Sequence, residues 1–224
     1  MTEQTNHALL REKLAGKFIV IDGPDGAGKS TQQKLLADYL KAAGLEVCLA
    51  RDPGGTAIGD KIRSILLDNG HAEMSVQCEV MLYMASRAQL AQQVIRPALQ
   101  KGQCVICDRY ISSTIAYQGA GGADTQTIAS VADVAVRGLW PDLTVIVDLD
   151  EQEGLRRALA RRGGPGLDRM ESKDLQFHRR VRELFLQQAQ HAPATYAAID
   201  GNGSVEQVQQ RLRDVIIEFL NRVK

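Results

Sequence analysis

At 224 residues the chain is long enough for one α/β domain with a full apolar core, and its 27 Lys plus Arg balance 27 Asp plus Glu. Zero formal charge excludes a global basic field of the kind that holds nucleic acid or anionic lipid. No apolar run approaches the roughly 20 residues that span a bilayer, and residues 1–16 mix charged and polar side chains where a secretion signal needs an apolar stretch. A soluble cytoplasmic protein, bound to neither nucleic acid nor membrane, is expected.

Residues 1–16 carry no readable function and stand as an N-terminal extension to a single domain over 17–224. The first β-rich apolar run covers 18–21 and leads, through a glycine-rich turn, into helical periodicity over 31–43. Apolar runs at 47–50, 105–107 and 143–149, with a weaker one at 196–199, alternate with helical spacing over 76–100, 126–137, 172–190 and 205–223. Continuous rather than alternating hydrophobicity means strands buried on both faces, which predicts a five-stranded parallel sheet with helices on both faces. After a helical stretch at 153–160, the glycine-rich basic segment 161–169 cannot continue the helix and reads by composition as a surface loop. Cys104 and Cys107 form a C-x-x-C, but in a β-branched apolar run residues three apart face opposite ways. They read as buried strand, and four cysteines are too few for a disulfide-stapled fold.

The turn after the first strand, Gly23-Pro24-Asp25-Gly26-Ala27-Gly28-Lys29-Ser30, matches G-x-x-x-x-G-K-[ST], with the strand before it and a helix opening at Thr31. This is the P-loop NTPase arrangement, and residues 23–31 are the candidate ATP site. Backbone N–H groups and the helix N-terminus face phosphate oxygens, Lys29 reaches the β- and γ-phosphates, and the Ser30 hydroxyl ligates Mg²⁺. The motif leaves open whether the γ-phosphoryl group goes to water or to a second substrate. Asp108-Arg109-Tyr110 places an acid and a cation at the C-terminal edge of the third strand, where open α/β sheets bind ligands. Asp108 can hold Mg²⁺ directly or through water, and Arg109 suits a phosphoryl group in transfer. Asp148, at the end of the fourth run, competes as a Walker-B-like acid that spacing does not exclude. Taken alone, Asp108–Arg109 could equally be a structural salt bridge.

Three further motifs follow the P-loop in order: Arg51-Asp52-Pro53-Gly54-Gly55-Thr56, then Leu82-Tyr83-Met84-Ala85-Ser86-Arg87-Ala88-Gln89, then Asp108-Arg109-Tyr110 with Ser113 and Ala116-Tyr117-Gln118-Gly119. They resemble the R-E-P-G-G-T, L-F-x-A-x-R-x-Q and D-R-Y…A-Y-Q-G patterns of the thymidylate kinase family, from about residue 18 to the C-terminus. The resemblance implies transfer of the ATP γ-phosphoryl group to dTMP, with Mg²⁺, often in a homodimer. It implies that Tyr83 stacks on thymine, that Arg87 hydrogen-bonds the carbonyl edge, and that Gln118 approaches the base and sugar, with Ser113 and Tyr117 in the same pocket. Asp25 would meet the sugar hydroxyl or the phosphate, and Arg51 and Arg109 would be forked donors to the acceptor phosphate. Two positions depart from the pattern: Asp52 replaces Glu, and Tyr83 replaces Phe, adding a hydroxyl that needs a partner. Without the resemblance, Tyr83 and Arg87, four apart on a helix, read as packing and a surface charge.

The stretch near 161–170, ending Leu167-Asp168-Arg169-Met170-Glu171, resembles the family's LID with its L-D-R-x-E. Ala27 stands where one subgroup carries Arg, so the chain resembles the subgroup whose arginine comes from the LID. Here that is Arg161 or Arg162, catalytic beside Lys29 and Arg109. Kinases for other nucleoside monophosphates or for deoxynucleosides share the P-loop and the D-R pair, and a P-loop switch ATPase shares the P-loop alone.

Overall fold

The computed structural model describes residues 3–162 and 166–222. Five strands, β1 (Phe18–Asp22), β2 (Val47–Arg51), β3 (Cys104–Asp108), β4 (Leu143–Asp148) and β5 (Tyr196–Asp200), form one parallel sheet in the order β2-β3-β1-β4-β5. This is the expected α/β architecture, including the weak fifth run. Every residue of β1 and β3 is buried, which explains why neither run alternates. Cys104 and Ile106 pack on one side of the sheet while Val105 and Cys107 pack on the other. Both cysteines are free, and burial pushes the Cys104 thiol up to about 12, so the C-x-x-C is inert strand.

The helices are α1 (Glu3–Leu14), α2 (Lys29–Ala42), α3 (Ala57–Leu67), α4 (Val76–Leu90), α5 (Arg96–Gln100), α6 (Ile111–Ala120), α7 (Thr125–Val136), α8 (Glu151–Arg162), α9 (Leu175–His191) and α10 (Val205–Arg222). One layer joins Leu10 and Leu14 of α1 to Leu36 and Leu40 of α2 and to Leu212 and Ile216 of α10. The segment set apart as an extension therefore closes the core, and Lys13 Nζ donates to the Leu220 carbonyl at 2.9 Å. The opposite layer is built from α4, α6 and α7 through Val80, Met84, Ile111 and Ile128. Between α4 and α5 a π turn, Ala91–Ile95, precedes Pro97, which has no N–H to donate. None of the described helices is long and apolar enough to cross a membrane.

Three helices, α1, α3 and α6, are absent from the elements read along the sequence. Helix α3 starts where Thr56 Oγ1 accepts from the Gly59 N–H at 3.0 Å, a cap obscured by the preceding Pro-Gly-Gly. Helix α6 begins Ile-Ser-Ser-Thr-Ile, a weak helical signal. Burial of Ile111, Ser112, Ser113, Thr114, Ala116, Tyr117 and Gln118 holds it in place. The order of strands reverses beside β1, and the crevice beyond the C-terminal ends of β1, β2 and β3 is where α/β sheets bind ligands.

Candidate functional site

That crevice holds a cavity of about 510 Å³. Asp25, Gly26, Gly28, Lys29, Ser30 and Thr31 line one part of it, and Arg51, Tyr83, Arg87, Arg109, Ser113, Tyr117 and Gln118 another. Gly23, Pro24 and Ala27 are not in the lining, and Ala27 packs into the core. Gly23, Gly26 and Gly28 have φ of 134, 75 and 85°, open to glycine at little cost. A Cβ on Gly26 would collide with the Gly154 carbonyl oxygen, and a Cβ on Gly154 with that of Asp25. The P-loop therefore rests directly on the first turns of α8. The P-loop signature leaves position 26 free, but this contact requires glycine there.

Lys29 Nζ folds over the loop and donates to the Pro24 carbonyl at 2.6 Å. Burial, then the Arg109 guanidinium, lowers its pKa to about 8 against the pull of Asp25, Asp108 and Asp22. Ser30 Oγ donates to Asp108 Oδ2, setting a hydroxyl and a carboxylate side by side, the hard oxygen donors that Mg²⁺ takes. Asp148, the competing acid, lies outside the lining and is held by Arg182 Nε and Nη2 at 2.7 and 2.9 Å. Among the described residues no group of three His, Cys, Asp or Glu could by itself hold a metal ion.

Arg109 has a left-handed backbone, φ 69°. Its Nη2 meets Asp25 Oδ1 at 2.5 Å, and its Nη1 donates to the Gly23 carbonyl at 3.1 Å and to Ser113 Oγ at 3.0 Å. The Tyr117 hydroxyl donates to the second Asp25 oxygen at 2.6 Å. Burial alone would raise the Asp25 pKa, but Arg109 and Lys29 outweigh it and hold the carboxyl at about 2. Beneath this cluster lies Asp22, which sequence reasoning did not single out. Fully buried, it accepts from Ser112 Oγ, Ser113 Oγ and the Gly23 N–H at 2.5, 2.7 and 2.9 Å, tying β1, α6 and the P-loop together.

Arg87 is not the surface charge that spacing alone suggests: it is 0% exposed and paired with Asp52, whose Oδ2 accepts from its Nε at 2.7 Å. Its Nη2 donates to the Tyr110 carbonyl and to Thr114 Oγ1 at 3.0 and 2.9 Å. Among the described residues its Nη1 has only the Met84 thioether, a weak acceptor, at 3.1 Å, and keeps a donor to spare. Arg63 of α3, another residue the sequence did not mark, lines the cavity with Arg51 and Arg109. Burial, then Arg51 and Arg109, lowers its pKa. Burial and then Glu79 raise the Tyr83 hydroxyl. The side chains of Arg161 and Arg162, like residues 163–165, lie outside the described residues. Arg157, one turn earlier on α8, lines the cavity, with its Nε 2.6 Å from Glu153 Oε1.

The sequence profile of the family described as "Thymidylate kinase" matches residues 21–212. Thymidylate kinase of an Exiguobacterium species is 46% identical over 211 residues, which cover 93% of this chain and 98% of that protein. The Pseudomonas fluorescens thymidylate kinase is 44% identical over 212 residues, covering 94% of this chain and 100% of that one. Among solved structures, thymidylate kinase from Ehrlichia chaffeensis superposes with a TM-score of 0.73 at 30% identity, covering 91% of this chain and 99% of that one.

Proposed function

The chain belongs to the thymidylate kinase family, and from that premise we propose how its own residues pass the ATP γ-phosphoryl group to dTMP, giving dTDP and ADP. The observation that carries the reading is one cavity lined by Lys29 and Ser30 of the P-loop and by Tyr83, Arg87 and Gln118, with Arg109 bonded to both sides. ATP lies on the P-loop with Lys29 at its β- and γ-phosphates. The acceptor phosphate takes the corner between Arg51, Arg63 and Arg109, where an anion relieves their mutual repulsion. Asp25, ionised at any working pH, receives a sugar hydroxyl. An acceptor phosphate oxygen attacks the γ-phosphorus in line. That oxygen is already ionised near neutral pH, so positioning and charge stabilisation suffice without a general base. The lining, which contains no histidine among the described residues, fits this.

The Ser30 hydroxyl and the Asp108 carboxylate would hold Mg²⁺, which neutralises charge on the β- and γ-oxygens when bound. With Ala27 uncharged and packed in the core, the remaining positive charge is assigned to the LID arginines. The same reading puts the enzyme in the cytoplasm with ATP and dTMP as its partners. Its expected assembly is a homodimer, for which exposed Met81 on α4 and Val134 on α7 supply apolar surface.

Two solution tests follow from this reading. Because charged Lys29 meets the polyphosphate, kcat/KM for ATP is expected to fall as pH rises through about 8. The limb in kcat should move upward, since bound phosphate holds the proton on Lys29. A kcat/KM for ATP that stays flat well above that pH would remove Lys29 from this role. In an ATP-coupled panel of monophosphates, kcat/KM should run dTMP, then dUMP, then dCMP, with purines poorest on size. Arg87 can only donate, so it suits the carbonyl at position 4 of thymine or uracil and is mismatched with the amino group of cytosine. The 5-methyl group alone is worth about 1–3 kcal/mol. Tyr83→Phe should be nearly silent if only the ring face matters. Equal use of dCMP and dTMP would refute this pocket.

A further inference from the structure

Glu79, in α4, is a buried carboxylate, 6% exposed. Its Oε2 accepts from Gln118 Nε2 at 2.9 Å, and its Oε1 accepts from Arg169 Nη1. Arg169 is 5% exposed and is fixed from the far side by α3: its Nε donates to the Leu66 carbonyl at 3.0 Å and its N–H to the Leu67 carbonyl at 3.3 Å. Its Nη2 is buried without a hydrogen-bond partner, so Glu79 is its main counter-charge. Replacing such a buried ion pair by apolar groups is often neutral or stabilising. Stability alone therefore does not account for a charge at position 79.

Chemistry at Gln118 does account for it. A glutamine amide can turn either its NH₂ or its carbonyl toward a neighbour, and the two choices present opposite faces to whatever lies beyond. An ionised carboxylate only accepts, so Glu79 draws the Gln118 NH₂ to itself and leaves the Gln118 carbonyl oxygen for the cavity that this side chain lines. We propose that Glu79 is a specificity-determining positioning residue, which turns Gln118 so that its carbonyl accepts the N3–H of thymine or uracil and faces unfavourably the bare N3 of cytosine. This rests on the placement of Gln118 in the acceptor pocket proposed above. Arg169 completes the device by occupying the other Glu79 oxygen.

The test is Glu79→Gln. With Arg169 intact, the new amide turns its carbonyl to the arginine and its NH₂ to Gln118, which must rotate and offer a donor to the base. The dTMP to dCMP ratio of kcat/KM is expected to narrow by about tenfold or more, the scale of one hydrogen bond reversed inside a pocket. The change should appear mainly in KM for the acceptor, with KM for ATP little altered. General loosening would lower both acceptors alike and leave the ratio where it was. Should the single variant fold poorly, Glu79→Gln with Arg169→Lys keeps a cationic donor beside position 79, so the new amide still turns its carbonyl to residue 169 and the same narrowing is expected. An unchanged ratio in whichever variant folds overturns the proposal. Gln118→Ala separates the two ideas. If it narrows the ratio while the Glu79 variants do not, Gln118 reads the base and Glu79 does not aim it. If it also leaves the ratio unchanged, the placement of Gln118 falls and the proposal with it.

Discussion

Replacing Arg161 and Arg162 together with alanine, Arg169 left intact, is expected to lower kcat by about 10³–10⁵, the range an arginine supplies to a transferring phosphoryl group. Ala27 is a P-loop residue with no charge to offer and its methyl group in the core. Positive charge must reach the γ-phosphoryl from elsewhere, and α8 runs from beneath the P-loop to end at Arg162. Positions four apart share a helical face, and Arg157 lines the cavity, so the position of Arg161 falls on that face and the single Arg161→Ala change should carry most of the loss. Single-turnover rates at saturating ATP and dTMP measure the transfer itself. Unaltered kcat in the double variant would refute the assignment, because solvated loop arginines change turnover little.

Lys29→Ala is expected to cost about 10²–10³ or more in kcat, as removal of a preorganised donor to developing charge does, without loss of fold. Among the described residues Lys29 makes one hydrogen bond, to the Pro24 carbonyl, and it sits at a lowered pKa of about 8. A lysine whose folded pKa lies below its ordinary value of 10.5 destabilises the folded state at pH below about 8. That cost fades as pH climbs toward the ordinary value. The melting temperature of Lys29→Ala at neutral pH should therefore equal or exceed that of the unaltered protein, and any gain should vanish at high pH. Near-normal turnover, or a clear drop in melting temperature, would contradict the role given to Lys29.

What could be read from the sequence followed from the range of each signal. Runs such as Phe18–Asp22 and Cys104–Asp108 are buried on both faces, so their composition alone declares them strands. Helix α6 declares nothing, because its Ser, Thr and Ile residues are chosen for what they touch: Ser112 and Ser113 for Asp22, Thr114 for Arg87. The P-loop was legible as a local motif held within one turn. Asp22, Arg63 and Glu79 were not, since each acquires its role from elements distant in sequence that meet only in the fold. Asp22 looks like the polar end of an apolar run, and Glu79 like an ordinary acid on a helix. Arg87 was found through its motif, but its ion pair with buried Asp52 was not.

The bare contact between Gly26 and Gly154 makes the P-loop a fulcrum for α8. From Gly154 to Arg162 the helix reaches about 12 Å at 1.5 Å per residue, so a tilt of about 5° at the near end swings the far end by about 1 Å. A misplacement of that size is enough to cost about 10²-fold in rate. On the proposed assignment of the transfer chemistry to Arg161 and Arg162, the loop that would cradle the donor also sets where the far end of that lever lies. A single methyl group added at either glycine would deflect that lever without touching a phosphate, an arginine or the acceptor.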